Sequence, residues 1–157
     1  MRQQIRRYAA ALAAVFCVMA SGCSKQQTAL DPTDALNQLK ASTTFTDQMT
    51  DMDSAGACRF YDVQTDLVQD SAAYVGSGAT AESMAVFEAT DTGAAESIVD
   101  TLQTFTDSWI EGYSDYKPEE VPKLKSAVLE QDGVYVVFCV TADNTAAKTA
   151  VQDLLNQ

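Results

Sequence analysis

From Ile98 onward the apolar positions step by four, three, four and four, through Leu102, Phe105, Trp109 and Tyr113. That spacing lays one continuous apolar stripe along a helix, with Asp91 placed to cap its start and Pro118 ending it at the latest. Ahead of it, residues 82–89 (ESMAVFEA) put apolar side chains on both faces of an extended segment, the pattern of a central strand. Behind it, Asp132-Gly133 separates two β-rich runs, which predicts a hairpin with a type I′ turn pairing Gln131 with Val134. Ala127, Leu129, Val134, Val136, Phe138 and Val140 then share a wholly apolar face that must be covered. Val128, Tyr135, Val137 and Cys139 share the other.

The flanking segments are read more coarsely. Asp31-Pro32 opens a helix running to about Lys40, with Leu36 and Leu39 inward. Residues 42–56 are polar and weakly patterned, residues 58–63 read as a short strand, and residues 65–69 as a turn of helix. Gly76-Ser77-Gly78-Ala79 is a breaker. Asp143 or Asn144 starts a last helix with Ala147, Ala150, Val151 and Leu154 inward. The order helix, strand, strand, helix, hairpin, helix predicts an α+β domain: a small, largely antiparallel sheet including a C-terminal β-hairpin, with helices packed on one face.

The N-terminus has a different character. Arg2, Arg6 and Arg7 precede an uncharged run over residues 9–20, which at 12 residues is too short to span a bilayer but fits an export signal. Ala20-Ser21-Gly22-Cys23 resembles a bacterial lipobox, with Ala20 where leucine is usual. The resemblance implies cleavage before Cys23 and a diacylglyceryl group on its thiol, and two acyl chains hold stably to a membrane where one holds marginally. An ordinary secretory signal, cut to release a soluble protein, is the alternative; a thiol directly after the cut favours the lipoprotein. The expected organisation is a signal peptide over 1–22, a lipid-anchored polar tether over 23–30 and a single domain over 31–157, on the outer face of the cell membrane. The tether would reach on the order of 20 Å when extended.

Cleavage would remove three of the ten basic residues and none of the 22 acidic ones, leaving a net charge of −15. Such a surface repels phosphate backbones, which argues against nucleic acid as a partner, and would attract cations or basic proteins. Cys58 and Cys139 are the two cysteines of the domain. Export permits a disulfide between them, closing a loop of about 80 residues and contributing roughly 4 kcal/mol. Two reduced thiols in the core suit the sequence equally well.

Candidate chemistry is thin. There is no histidine, which removes Ser-His and Cys-His nucleophile pairs and the commonest metal ligand. Ser114-Asp115-Tyr116-Lys117 matches an S-x-x-K pattern, but Lys148-Thr149-Ala150 is not the K-T-G element such enzymes also need. Residues 51–62 open like a calcium loop, with Asp51, Asp53 and Gly56 in place. Ala55 and Arg59 then spoil the ligand ring, and Asp62 is a poor substitute for a bidentate glutamate, so a solvated acidic loop is expected. Asp115, Glu119 and Glu120 read as a solvated helix end. Trp109, Tyr113 and Tyr116 suit an aromatic platform for sugar or peptide, but more simply continue the buried stripe of their helix.

Three pieces carry a family resemblance: Gly76-Ser77-Gly78 leading into residues 81–87 (AESMAVF), Tyr116-Lys117-Pro118-Glu119-Glu120-Val121, and Gly133-Val134-Tyr135-Val136. They resemble the bacterial, clostridial-type lipoprotein family known as domain of unknown function 4358, with Met84 where that family shows isoleucine. The resemblance implies the address and the domain, with no activity and no catalytic or ligand residues to carry over. The expected function is that of a non-catalytic, lipid-anchored extracytoplasmic domain binding another envelope protein or a small ligand, without cofactor or metal. An envelope-acting enzyme using carboxylates or a metal is the alternative.

Overall fold

The computed structural model describes residues 29–157. The leader, Cys23 and most of the tether lie outside the described residues. The element order is α1 (Pro32–Ser42), β1 (Met49–Met52), α2 (Ser54–Tyr61), β2 (Val68–Gly76), β3 (Ser83–Ala89), α3 (Thr92–Tyr116), α4 (Val121–Lys125), β4 (Val128–Asp132), β5 (Tyr135–Val140) and α5 (Asn144–Leu155). Single 3₁₀ turns lie at Thr65–Leu67 and Pro118–Glu120. The strands form one open sheet in the order β1-β2-β3-β5-β4, every neighbouring pair antiparallel. The fold is α+β, and β4 and β5 form the expected C-terminal hairpin.

The helices cover both faces of the sheet rather than one. Ala57, Cys58 and Tyr61 of α2 and Ile98 and Leu102 of α3 pack with Ala85, Phe87, Val136, Phe138 and Val140 on one side. Leu36 and Leu39 of α1 and Ala147, Val151 and Leu154 of α5 pack with Met84, Val86, Val137 and Cys139 on the other. The physical cause is the composition of the two central strands. Successive strand residues alternate faces, and β5 is buried at all six positions, so neither face can be left to water.

Aspartates start four of the five helices among the described residues. Asp31 accepts from the backbone N–H groups of Thr33 and Asp34, Asp53 from Gly56, Asp91 from Ala94, and Asp143 from Thr145 and Ala146. Each carboxylate meets unpaired amides and the positive end of a helix dipole. The segment read as a strand over 58–63 belongs instead to α2, which Asp53 caps and which Asp62 ends in the left-handed region at φ 57°. Helical spacing brings Ala57, Cys58 and Tyr61 to one face, and the burial of Tyr61 decides the matter.

β1 and β2 were not legible as strands. In β2 the buried middle is Ser71-Ala72-Ala73, small residues of modest β-propensity. It is a strand because β1 and β3 flank it, and its small side chains let α1 and α2 approach from opposite sides. The hairpin pairs Asp132 with Tyr135, so its turn residues are Gly133 and Val134. Gly133 has φ 58° while Val134 stays outside the positive region, the II′ requirement of a glycine at the first turn position only. Moving the turn by one residue changes the pairing by two, so every side chain keeps its expected face.

Candidate functional site

At the end of the sheet where β3 begins, three carboxylates and two lysines are gathered in one hydrogen-bonded brace. Glu82, wholly buried, accepts from Thr46 N–H at 2.6 Å, Thr46 Oγ1 at 2.7 Å, Asp47 N–H at 3.0 Å and Lys123 Nζ at 3.2 Å. Glu120, 4 % exposed, accepts from Ala81 N–H at 3.0 Å, pairs with Lys123 at 3.0 Å, and has Lys117 at 3.8 Å. Asp47 accepts from Ser77 Oγ, Gln48 N–H, and both the N–H and Oγ1 of Thr80. The Tyr113 hydroxyl donates to the carbonyls of Thr80 at 2.6 Å and Gly78 at 3.2 Å, and Lys117 donates to that of Ala79. Asn144 Nδ2 donates to the Lys123 carbonyl at 2.8 Å, tying in the start of α5.

The brace joins the α1–β1 connection, the β2–β3 connection and the α3–α4 corner. Gly76 is needed where they meet: a Cβ there would lie 2.7 Å from Asp47 Oδ2 and 2.8 Å from the Glu82 carbonyl. Its electrostatics are those of compensated charge. Burial pushes the Glu82 carboxyl up, but the hydrogen bonds from Thr46, Asp47 and Lys123 outweigh it and hold the pKa below its ordinary value. Asp47 is held down in the same way, burial being outweighed by Ser77, Thr80 and Gln48. Burial lowers the Lys123 ammonium, and Glu120 and Glu82 more than restore it, leaving it raised. Burial, together with Glu120 and Asp47, pushes Tyr113 up to about 12. A carboxylate whose pKa is depressed and whose oxygens are already engaged by hydrogen-bond donors is a weak base.

Glu120 is therefore part of a buried brace and not of a solvated helix end, whereas Asp115 and Glu119 are exposed. Glu82 was not singled out by its sequence. The available signal was a carboxylate at the first position of an apolar strand directly after a glycine turn. Ser114 donates to the Ile110 carbonyl while Lys117 turns to Ala79, so the S-x-x-K residues do not act on each other. Lys148 pairs with Glu130 at 3.7 Å. The acidic segment 51–62 is a strand end followed by a capped helix, with Asp51 bound to Lys40 at 2.6 Å. Among the described residues no group of three or more acidic or thiol side chains is placed to hold a metal ion.

Trp109 and Tyr113 pack inward, their rings 5.7 Å apart, while Tyr116, expected on the same buried stripe, is 73 % exposed. Cys58 and Cys139 are both free and buried. They belong to clusters on opposite faces of the sheet, Cys58 with α2 and α3, Cys139 with α1 and α5. Burial pushes the Cys139 thiol up to about 12. Two open clefts lie beside the edge strand β1, one toward α2 and one toward α1.

The model of the family described as Domain of unknown function (DUF4358) matches residues 41–141, which span the brace and the whole sheet. No curated protein and no solved structure matches the chain.

Proposed function

The chain belongs to the family described as Domain of unknown function (DUF4358), and from that premise we propose that it is a lipid-anchored extracytoplasmic binding domain that performs no catalysis. The observation that carries the non-catalytic part is the state of the converging carboxylates. Glu82 and Glu120 are both buried against Lys123, Glu82 also accepting from the Thr46 and Asp47 amides and Glu120 from that of Ala81, so their oxygens are already engaged by the protein itself. The address rests on the basic, apolar and small-residue succession ending at Cys23. The described chain begins at its join to the tether, where the Leu30 N–H donates to the Tyr135 hydroxyl at 3.0 Å. A partner would then meet a compact acidic domain held within a short tether of the bilayer.

The test is Cys23→Ala in the native host. The wild-type chain should partition into detergent and lose its N-terminal leader, and the variant should do neither. Unchanged processing and partitioning of the variant would end the anchoring reading. Carboxylate-dependent turnover of a cell-envelope substrate, lost in Glu82→Gln while the fold persists, would end the non-catalytic one.

A further inference from the structure

The described chain begins at one end of the sheet. Leu30 is held there by the Tyr135 hydroxyl, and Tyr135 stands opposite Glu88, near the finish of β3. Three connections meet at the same end. They are the turn Thr65–Leu67, whose Leu67 carbonyl accepts from Thr90 N–H, the step through Asp91 into α3, and the hairpin turn, whose Val134 carbonyl accepts from Ala89 N–H. The brace occupies the opposite end, where β3 begins. α3 runs from the first end to the second, since Thr92 closely follows Ala89 and the Tyr113 hydroxyl reaches the Thr80 carbonyl.

The two ends differ in charge. Asp31, Asp34, Asp66, Asp91 and Asp132 are exposed at the Leu30 end, where residues 29–35, 64–67, 89–92 and 130–135 include no lysine or arginine. Lys117, Lys123 and Lys125 lie at the brace end, the first two beside Glu120 and the last exposed. An anionic bilayer attracts a lysine near its surface by about 1 kcal/mol and repels carboxylates within a Debye length of about 10 Å. Charge alone would therefore turn the lysine corner toward the membrane.

Length decides against it. From Cys23 to Leu30 the extended chain reaches on the order of 20 Å. α3 has 25 residues and spans about 37 Å. Standing the domain on Tyr116 would lift Leu30 beyond the reach of its own tether.

We infer that the domain rides with its acidic turns at residues 64–67, 90–91 and 132–134 toward the bilayer and its α3–α4 corner turned outward. An envelope partner then meets Tyr116, 73 % exposed, and Lys125, while the lysines of that corner stay clear of the headgroups. The inference rests on the anchoring reading above and adds which end of the domain faces the membrane.

The test uses the lipidated chain, purified from its host membranes, in vesicles of phosphatidylcholine and phosphatidylglycerol that include a nickel-chelating lipid. Spin labels are placed one per variant on Thr65→Cys, Thr90→Cys, Ser114→Cys and Glu119→Cys, all exposed positions. Cys58 and Cys139 are buried and leave the introduced thiol to react. Nickel at the headgroups should relax the labels at 65 and 90 and leave those at 114 and 119 as they are in nickel-free vesicles. Equal relaxation at all positions, stronger relaxation at 114 and 119, or none anywhere would overturn the orientation while the anchor stands. A chain that washes off the vesicles would overturn both.

Discussion

Glu82 and Lys123 meet at 3.2 Å across the join of β3 and α4, the carboxylate wholly buried and the lysine side chain 25 % exposed. The pair is asymmetric. Lys123 keeps Glu120 and some water if its partner is removed, whereas the amides of Thr46 and Asp47 lose the acceptor that holds the α1–β1 connection.

Glu82→Gln should destabilise by about 2 kcal/mol and Glu82→Ala by about 3 kcal/mol, because the alanine leaves buried donors without any acceptor. Urea denaturation at pH 7 measures both. A cycle with Lys123→Met should return a coupling of about 1 kcal/mol, since Glu120 retains part of the lysine's charge interaction. Additive single effects would show that Glu82 acts through the amides alone.

Stability should decline on the acid side. The Glu82 and Asp47 carboxyls have folded pKa values below their ordinary 4.5 and 3.8. The stability they contribute is present above those ordinary values and is lost as pH falls through the depressed folded ones, so denaturation midpoints should drop from about pH 5 downward. Lys123 acts at the other end. Its folded pKa is raised above 10.5, so its contribution is complete below that value and is lost as pH climbs through the raised one. Glu82→Gln should flatten the acid limb.

The glycines separate by surroundings. Gly76→Ala forces a Cβ against Asp47 and the Glu82 carbonyl and should cost about 2 kcal/mol. Gly112 sits exposed within α3 with open space where a Cβ would go, so Gly112→Ala should stabilise by about 1 kcal/mol. Thermal melts of the two variants should move in opposite directions.

Cys58 and Cys139 should resist alkylation in the folded protein and both react once it is unfolded, without reductant. Peptide mass spectrometry after denaturing alkylation checks this. A linked Cys58–Cys139 peptide would mean that the sheet rearranges to let the two sides meet.

The patterned elements were legible in the chain because each depends on local periodicity: the stripe of α3 with its Asp91 cap, the doubly apolar β3, the faces of the hairpin and the inner face of α5. The hairpin shows how robust that information is, for its faces survived a turn placed one residue away. Tyr116 marks a limit. It lies three residues beyond Tyr113 on the expected stripe, yet it stays exposed, its ring 6.2 Å from that of Tyr113 at the end of the helix.

Periodicity and capping were thus determined by the sequence alone, because apolar spacing and backbone termini are satisfied by neighbours a few positions away. Partners far along the chain were decided by the tertiary structure. The small residues of β2 became a strand only between β1 and β3, and α2 became a helix through the packing of Tyr61. The buried charge of Glu82 is tolerable only because Thr46, Asp47 and Lys123 reach it from 35 to 41 residues away. Burying a charge is costly unless compensating groups surround it, and long-range folding put those groups in place.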